Sequence, residues 1–377
     1  MLRYMTSGES HGKGLFAVMD GVPAGLKIDT DFINRELLKR MHGYGRGGRM
    51  SIEKDTVQVV AGCRGNMTIG SPVGLFIANR DHKIDKMPEV FSPRPGHADL
   101  AGIMKYGLKG AREVLERASA RETAARVAAG AVAKLLLREF GMDVLSHVKS
   151  IGSEAADTSG LTIDEIAALT DIKNSRLRCA DKKAEELMCR EIDNARKAGD
   201  TLGGVFEVIV RGVPPGLGSY SQWDKRLDGA LARAVMSIPA VKAVSIGGGI
   251  DCAKLPGSEV HDPISYDNSG KTFKRGSNNA GGVEGGVSNG EAVILEGYMK
   301  PIATLMKPLK TVDINTKTET EAATERADVT AVPSCGVVAE AVTAIEIASA
   351  FLDKFGGDSI NEIQRHFEGY KEYLGRV

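Results

Sequence analysis

Ser119-Ala120-Arg121-Glu122-Thr123-Ala124-Ala125-Arg126-Val127-Ala128-Ala129-Gly130-Ala131-Val132-Ala133 opens the stretch that decides the fold. Ser119 and Glu122 have the spacing of a capping box, in which each side chain satisfies the other's free backbone N–H. The segment stays helical in character to Phe140, and its alanines cover more than one face. Small residues on several sides let neighbours approach closely, so a central, tightly packed helix is predicted. A second long apolar helix, predicted from Cys335 to Phe355, mirrors it.

Around these two helices the pattern alternates. Leu15–Met19, Thr56–Ala61, Val73–Ile77 and Val205–Arg211 read as strands, and Asp29–Met41 has helical spacing through Phe32, Ile33, Leu37 and Leu38. Thr162–Leu169 opens on a second capping box, Thr162-Ile163-Asp164-Glu165, and Lys182–Ala198 reads as another charged helix. Gly21-Val22-Pro23-Ala24-Gly25-Leu26 follows one strand and precedes a helix. Gly212-Val213-Pro214-Pro215-Gly216-Leu217 follows another and precedes a helix over Gln222–Met236. Either turn residues recur by chance, or the chain is internally duplicated with halves meeting near residue 200. The expectation is one α+β domain over residues 1–377, duplicated, with sheets packed around helices.

Lysine plus arginine total 49, equal to aspartate plus glutamate, so net charge does not favour nucleic acid and any positive field must be local. Five cysteines occur without a Cys-x-x-Cys pair, which argues against a disulfide framework or a thiolate metal site; no metal is expected. No apolar run has the length of a membrane span and the N-terminus lacks a signal-type apolar core, which predicts a cytoplasmic protein. Gly8–Gly14 fails the P-loop pattern, because Ser7 and Gly14 stand at its first glycine and hydroxyl positions. Gly43-Tyr44-Gly45-Arg46-Gly47-Gly48 satisfies Gly-x-Gly-x-x-Gly but follows a predicted helix, not a strand.

Two histidines lie in glycine-flanked loops: His11 in Gly-Glu-Ser-His-Gly (8–12) and His97 in Arg-Pro-Gly-His-Ala-Asp (94–99). Histidine moves protons near neutral pH. His42, His82, His147, His261 and His366 read as surface or loop residues, and Arg35, Glu36 and Lys39 as a solvated helix face. Arg40, Arg46 and Arg49 gather at a helix end and a glycine loop. Arg117 and Arg121 flank the predicted start of the alanine helix, where free N–H groups and the helix dipole also favour anions. Asn278 to Gly286 is dense enough in glycine to lie against a flat ring; Lys300-Pro301-Ile302-Ala303-Thr304 offers hydrogen-bond donors on a stiffened segment; Arg326-Ala327-Asp328 sets a cation beside a carboxylate. Acid/base chemistry on a small, multiply anionic substrate is the reading.

In order, Gly-Glu-Ser-His-Gly, Arg-Pro-Gly-His-Ala-Asp, Arg117-Ala118-Ser119-Ala120-Arg121-Glu122-Thr123 and Asn278-Asn279-Ala280-Gly281-Gly282 closely resemble the chorismate synthase family over nearly the whole chain. The resemblance implies a β-α-β sandwich, usually a homotetramer. It implies conversion of 5-enolpyruvylshikimate 3-phosphate to chorismate by 1,4-anti elimination of phosphate, with reduced FMN (FMNH2) required although no net redox change occurs. His11 would then protonate or hydrogen-bond the leaving phosphate, His97 would protonate the anionic reduced flavin or hold its proton balance, and Asp328 would assist proton removal through flavin N5. Arg40, Arg46, Arg49, Arg94, Arg121 and Arg326 would hold substrate or flavin anions. Arg117, Ala118, Ser119, Pro239, Ala240, Gly286, Lys300, Pro301, Ile302, Ala303, Thr304 and Arg326 match flavin-binding positions.

Two positions depart from the commoner pattern: Pro239 stands where an amide side chain is frequent, and Ala327 where a histidine is often found. Some members reduce their own flavin with NADPH; this sequence shows no reductase module, which predicts an external reductant. The competing readings are a conventional FMN oxidoreductase acting on an anionic substrate, and a polyanion-binding or RNA-binding module.

Overall fold

The alanine-rich helix lies at the centre of the computed structural model, which describes residues 2–47, 54–270, 272–325 and 328–377. Ser119 caps a 3-10 turn, Ala120–Glu122, by accepting from Arg121 N, and the α-helix proper begins at Thr123. Glu122 pairs with Arg126 instead of returning to Ser119, so the first expected capping box is not formed. The second, Thr162 with Glu165, closes in both directions.

Two antiparallel sheets enclose the helices. The first contains β1 (Arg3–Ser7), β2 (Gly14–Asp20), β3 (Val57–Ala61) and β4 (Val73–Ala78) in the order β1-β2-β4-β3. The second contains β5 (Asp143–Ile151), β6 (Gly204–Arg211), β7 (Val241–Ile246) and β8 (Val293–Met299) in the order β5-β6-β8-β7, with Glu154–Ala155 at the β5 edge. Between them pack α1 (Thr30–Met41), α2 (Thr123–Glu139), α3 (Leu227–Met236) and α4 (Val332–Phe355). Strand alternation explains the layering. Leu15, Ala17 and Met19 of β2 and Val73, Leu75 and Ile77 of β4 point into one core that both long helices share.

α1 follows β2 and α3 follows β6; α2 follows β4 and α4 follows β8. The matching extends to single bonds. Thr68 Oγ1 accepts from Leu26 N at 2.8 Å and donates to Pro23 O at 2.6 Å; Ser288 Oγ accepts from Leu217 N at 2.8 Å and donates to Pro214 O at 2.6 Å.

α2 and α4 meet at Gly130. A Cβ there would stand 2.3 Å from Ala341 Cβ and 2.6 Å from Ala341 O, so only glycine permits this crossing. Glu36, read as solvated, is buried: it and Glu340 of α4 both bond Lys134 of α2, and Glu340 also binds Arg178. Burial alone would raise Glu36, but the ammonium groups of Lys134 and Lys39 hold its carboxyl down at about 2. His147, also read as a surface residue, is buried on β5 and bonds Glu207 at 2.7 Å. α4 is long and apolar enough to cross a membrane, yet 78% of its most apolar window is buried in the fold.

Candidate active site

A cavity of about 620 Å³ opens where the N-terminal ends of α2 and α4 converge. Both histidine loops reach it, as do Arg40, Arg46, Arg94, Arg117 and Arg121, the 238–240 turn, most of the 299–304 segment and Asp328. First-half and second-half residues share its wall.

The His11 loop joins β1 to β2. Gly8 there has φ 104°, and a Cβ would meet Gly14 O at 2.2 Å, which excludes any other residue. Asn79 fixes the loop from beneath, donating to Glu9 O at 3.0 Å and Gly12 O at 2.8 Å, while its Oδ1 accepts from Arg121 Nε and Nη2. His11 Nδ1 lies 3.0 Å from both carboxylate oxygens of Glu116, and the His11 backbone N–H donates to Oε2 at 2.8 Å. Burial alone would raise Glu116; the hydrogen bonds from the His11 ring and backbone outweigh it and leave the carboxyl below its usual range.

His97 repeats the arrangement. Its Nδ1 is 2.5 Å from Asp99 Oδ1, and Asp99 also accepts from Arg94 Nε at 2.8 Å. Burial opposes ionisation of Asp99, but the bonds from His97 and Arg94 hold it well below the usual carboxylate range. Arg94 completes its contacts through Thr304 Oγ1 at 2.8 Å, tying the His97 loop to the 299–304 segment.

The arginines are held as firmly. Arg121 Nη1 donates to buried Asp55 at 2.6 Å. Arg40, on the last turn of α1, donates to Thr123 Oγ1 and Ala120 O, while its Nη1 is buried, lies 3.6 Å from Asp55 and makes no hydrogen bond. Burial lowers Arg40 to about 10 despite Asp55, which still leaves it cationic at neutral pH. Arg46 pairs with Asp328 at 2.8 Å, and Asp328 also accepts from Gly47 N. Arg117 is exposed and spans to Gly8 O and Thr6 O, while Ser119 Oγ reaches Ser10 Oγ at 3.3 Å. The anion site expected at the start of the alanine helix is thus a 3-10 turn whose flanking arginines are anchored in the first sheet's loops.

Two expected positions do not reach the cavity. Gly286 lies in the tight turn between Val283–Glu284 and Val287–Ser288, with φ 90° and Arg226 and Ser219 O close to where a Cβ would be. The neighbouring Gly281 and Gly282 pack closely against the backbone of Gly247 and Ala292. Pro301 is exposed and off the wall, although Lys300, Ile302, Ala303 and Thr304 line it. Arg49, Arg326 and Ala327 lie outside the described residues. Pro239 and Ala240 do line the cavity, and Ala240 has φ 71°, a strained value for a residue with a side chain.

Asp55, Asn79, Asp99, Glu116 and Arg126 were not singled out in the sequence. Only Asp99 carried a signal, two residues after His97 in the loop motif. The others reach the site through contacts between distant segments.

A donor-rich wall with two carboxylate-held imidazoles has the chemistry for acid/base work on an anion. The family model for chorismate synthase matches residues 2–352. A chorismate synthase of Acidobacterium capsulatum is 52% identical over 393 residues, covering 100% of both chains, and one of Carboxydothermus hydrogenoformans is 53% identical over 386 residues, covering 99% of each. A solved crystal structure of chorismate synthase superposes with a TM-score of 0.83 at 41% identity, covering 100% of this chain and 99% of that one. The chain belongs to the chorismate synthase family, and it is a lyase.

Proposed function

We propose that this cavity binds reduced FMN together with 5-enolpyruvylshikimate 3-phosphate and eliminates phosphate from the latter in a 1,4-anti sense to give chorismate. The observation that carries the reading is the convergence of His11, His97 and six arginines from several segments on one wall. The donor set suits both ligands. Ile238, Ala240, Met299, Ile302 and Ala303 give an apolar face for a flat ring, beside Arg117, Ser119, Lys300 and Thr304 as donors. The buried, unbonded Nη1 of Arg40 has a donor left for an anion. When bound, the reduced flavin supplies an electron-rich surface next to the substrate ring.

The chain's own groups manage charge and protons. Arg40, Arg46, Arg94 and Arg121, with Arg49 and Arg326, hold the two carboxylates and the phosphate. His11 donates a proton to the departing phosphate as the carbon–oxygen bond breaks. Asp328 assists removal of the ring hydrogen, and the electrons of that bond form the new double bond. The sum is redox-neutral. His97 keeps the proton balance of the bound cofactor.

The reductant is external to the chain, the cellular setting is cytoplasm, and the working assembly is a homotetramer. The matched strand orders and turn bonds support a single domain made of two related halves. In this reading β5 is the counterpart of β1, so the second half would begin near Asp143 rather than near residue 200.

An anaerobic assay with photoreduced FMN and the enolpyruvyl substrate tests the function. Phosphate and chorismate should accumulate together while the flavin ends reduced. Net flavin oxidation in step with product would support the oxidoreductase reading instead.

A further inference from the structure

We propose that two buried carboxylates, Glu116 and Asp99, act as positioning residues that lock both active-site imidazoles in the tautomer protonated at Nδ1. The other ring nitrogen, Nε2, is thereby reserved for proton exchange in each. The assignment rests on the proposed roles of His11 and His97.

The two sites reach this arrangement from unrelated local structure. Glu116 is on the short helix Arg112–Arg117, a hundred residues from His11, and its side chain is fully buried. Both of its oxygens face His11 Nδ1 at 3.0 Å while Oε2 also takes the His11 backbone N–H, so ring and loop are fixed by one group. Arg112, 3.4 Å away, backs the carboxylate and links on to Glu325. An ionised carboxylate offers only acceptors. Nδ1 must therefore carry the hydrogen, and Nε2, 3.8 Å from Asp81, is the nitrogen whose proton comes and goes.

Asp99 opens the helix Asp99–Tyr106 and is also fully buried. It receives His97 Nδ1 at 2.5 Å and Arg94 through Nε and Nη2. Arg94 Nη2 lies 3.0 Å from His97 Nδ1 as well, and as a donor it would favour a bare Nδ1; the shorter 2.5 Å contact to the ionised Asp99 opposes it and keeps the hydrogen on Nδ1. Two carboxylates on two helices thus select the same tautomer. Deprotonated at Nδ1 instead, either imidazole would set a lone pair against an anion.

Nitrogen-15 spectra of the full-length protein labelled at histidine test this without any assay of turnover. His11→Gln and His97→Gln identify the two rings by loss of their signals. Above the pH at which each ring is neutral, both should show a protonated Nδ1 and a bare Nε2. In Glu116→Gln the His11 ring should lose that bias while His97 keeps it, and Asp99→Asn should do the reverse. By analogy with the serine-protease aspartate, whose amide variant falls about 10,000-fold through the wrong tautomer, kcat in Glu116→Gln should fall on the order of 100- to 10,000-fold with little change in KM. A wild-type spectrum with the hydrogen on Nε2, or a His11 tautomer unmoved in Glu116→Gln, overturns the proposal even if Asp99→Asn does not fold. A tautomer that switches while kcat holds leaves the positioning intact and removes the proton-transfer role of His11 instead.

Discussion

The same substitution, glycine to alanine inside a helix, should have opposite effects at Gly130 and Gly369. In each case alanine gains about 1 kcal/mol or slightly less of intrinsic helix preference. At Gly369, in the helix Ile360–Leu374, nothing lies within 4 Å of the new methyl, so the gain should survive as about 0.5–1 kcal/mol of added stability. At Gly130 the methyl would stand 2.3 Å from Ala341 Cβ, 2.4 Å from Cα and 2.6 Å from the carbonyl oxygen. Two of those atoms are backbone, so no side chain can rotate away. α2 and α4 must part, loosening the small-residue contacts on either side. Overpacking costs about 1–3 kcal/mol, and the backbone clash argues for the upper end. Subtracting the propensity gain leaves a loss of about 2 kcal/mol. With an unfolding entropy of about 2 cal/mol/K per residue, a chain of 377 residues should melt about 2–3 °C lower in Gly130→Ala and about 1 °C higher in Gly369→Ala. Thr123 and Ser334, at the near ends of the parted helices, line the cavity, so KM should rise in the first variant only. Paired calorimetric and urea melts measure both. If Gly130→Ala proves as stable as the native chain, the close helix crossing described above is wrong.

Three further outcomes are expected. His11→Ala and His97→Ala should retain FMN affinity but each lose about 100- to 10,000-fold in kcat, measured by fluorescence titration and by phosphate release; full turnover in either would remove its role. Lys134→Met should destabilise by about 3 kcal/mol, the lower end for breaking a buried pair, because Glu36 keeps Lys39 at 2.7 Å and Glu340 keeps Arg178 at 2.5 Å; a stabilised variant would mean that methionine packing outweighs the ion network. Glu36, Asp99 and Glu116 all sit below their ordinary carboxyl values in the folded chain, so each binds protons more weakly there than when unfolded. Their contribution to stability is complete above about pH 5 and is lost as pH falls through about 4 and below. Urea midpoints unchanged between pH 7 and pH 3.5 would contradict this.

The long helices, the main strands and the Gly-Val-Pro turns were legible because each rests on local pattern: alternation, helical spacing, turn chemistry. Glu36 was misread for the same reason. Its neighbours Arg35 and Lys39 look like an exposed face, and only the approach of Lys134 from a helix a hundred residues away buries it. His147 likewise reads as ordinary until Glu207 on the adjoining strand pairs with it. At the site, the motif loops announced His11 and His97, but Asp55 has no motif; it matters because folding sets it between Arg40 and Arg121. Gly281 and Gly282 are a different case. Close backbone approach was the right inference from their density, but what approaches is more backbone.

The charge at the cavity is better described as sorted than as positive. Among the described residues, seven cations and three acids line the wall, which alone suggests a strong anion trap. Behind it, Asp55 bonds Arg121 and faces Arg40 at 3.6 Å, Asp99 holds Arg94 and His97, and Glu116 holds His11, so most of that excess is compensated by buried carboxylates. Through these bonds the carboxylates fix the guanidinium groups of Arg121 and Arg94 and both imidazoles. The groups can then meet a substrate without reorganising, which is where electrostatic preorganisation gains its advantage over mobile charge in water. Lys300 differs in kind. Burial and the nearby Lys242 lower its pKa, and among the described residues its ammonium reaches only Pro301 O, at 3.4 Å. An anion beside it would relieve both effects. The wall therefore divides between donors held by buried carboxylates and a lysine that lacks such a partner among the described residues.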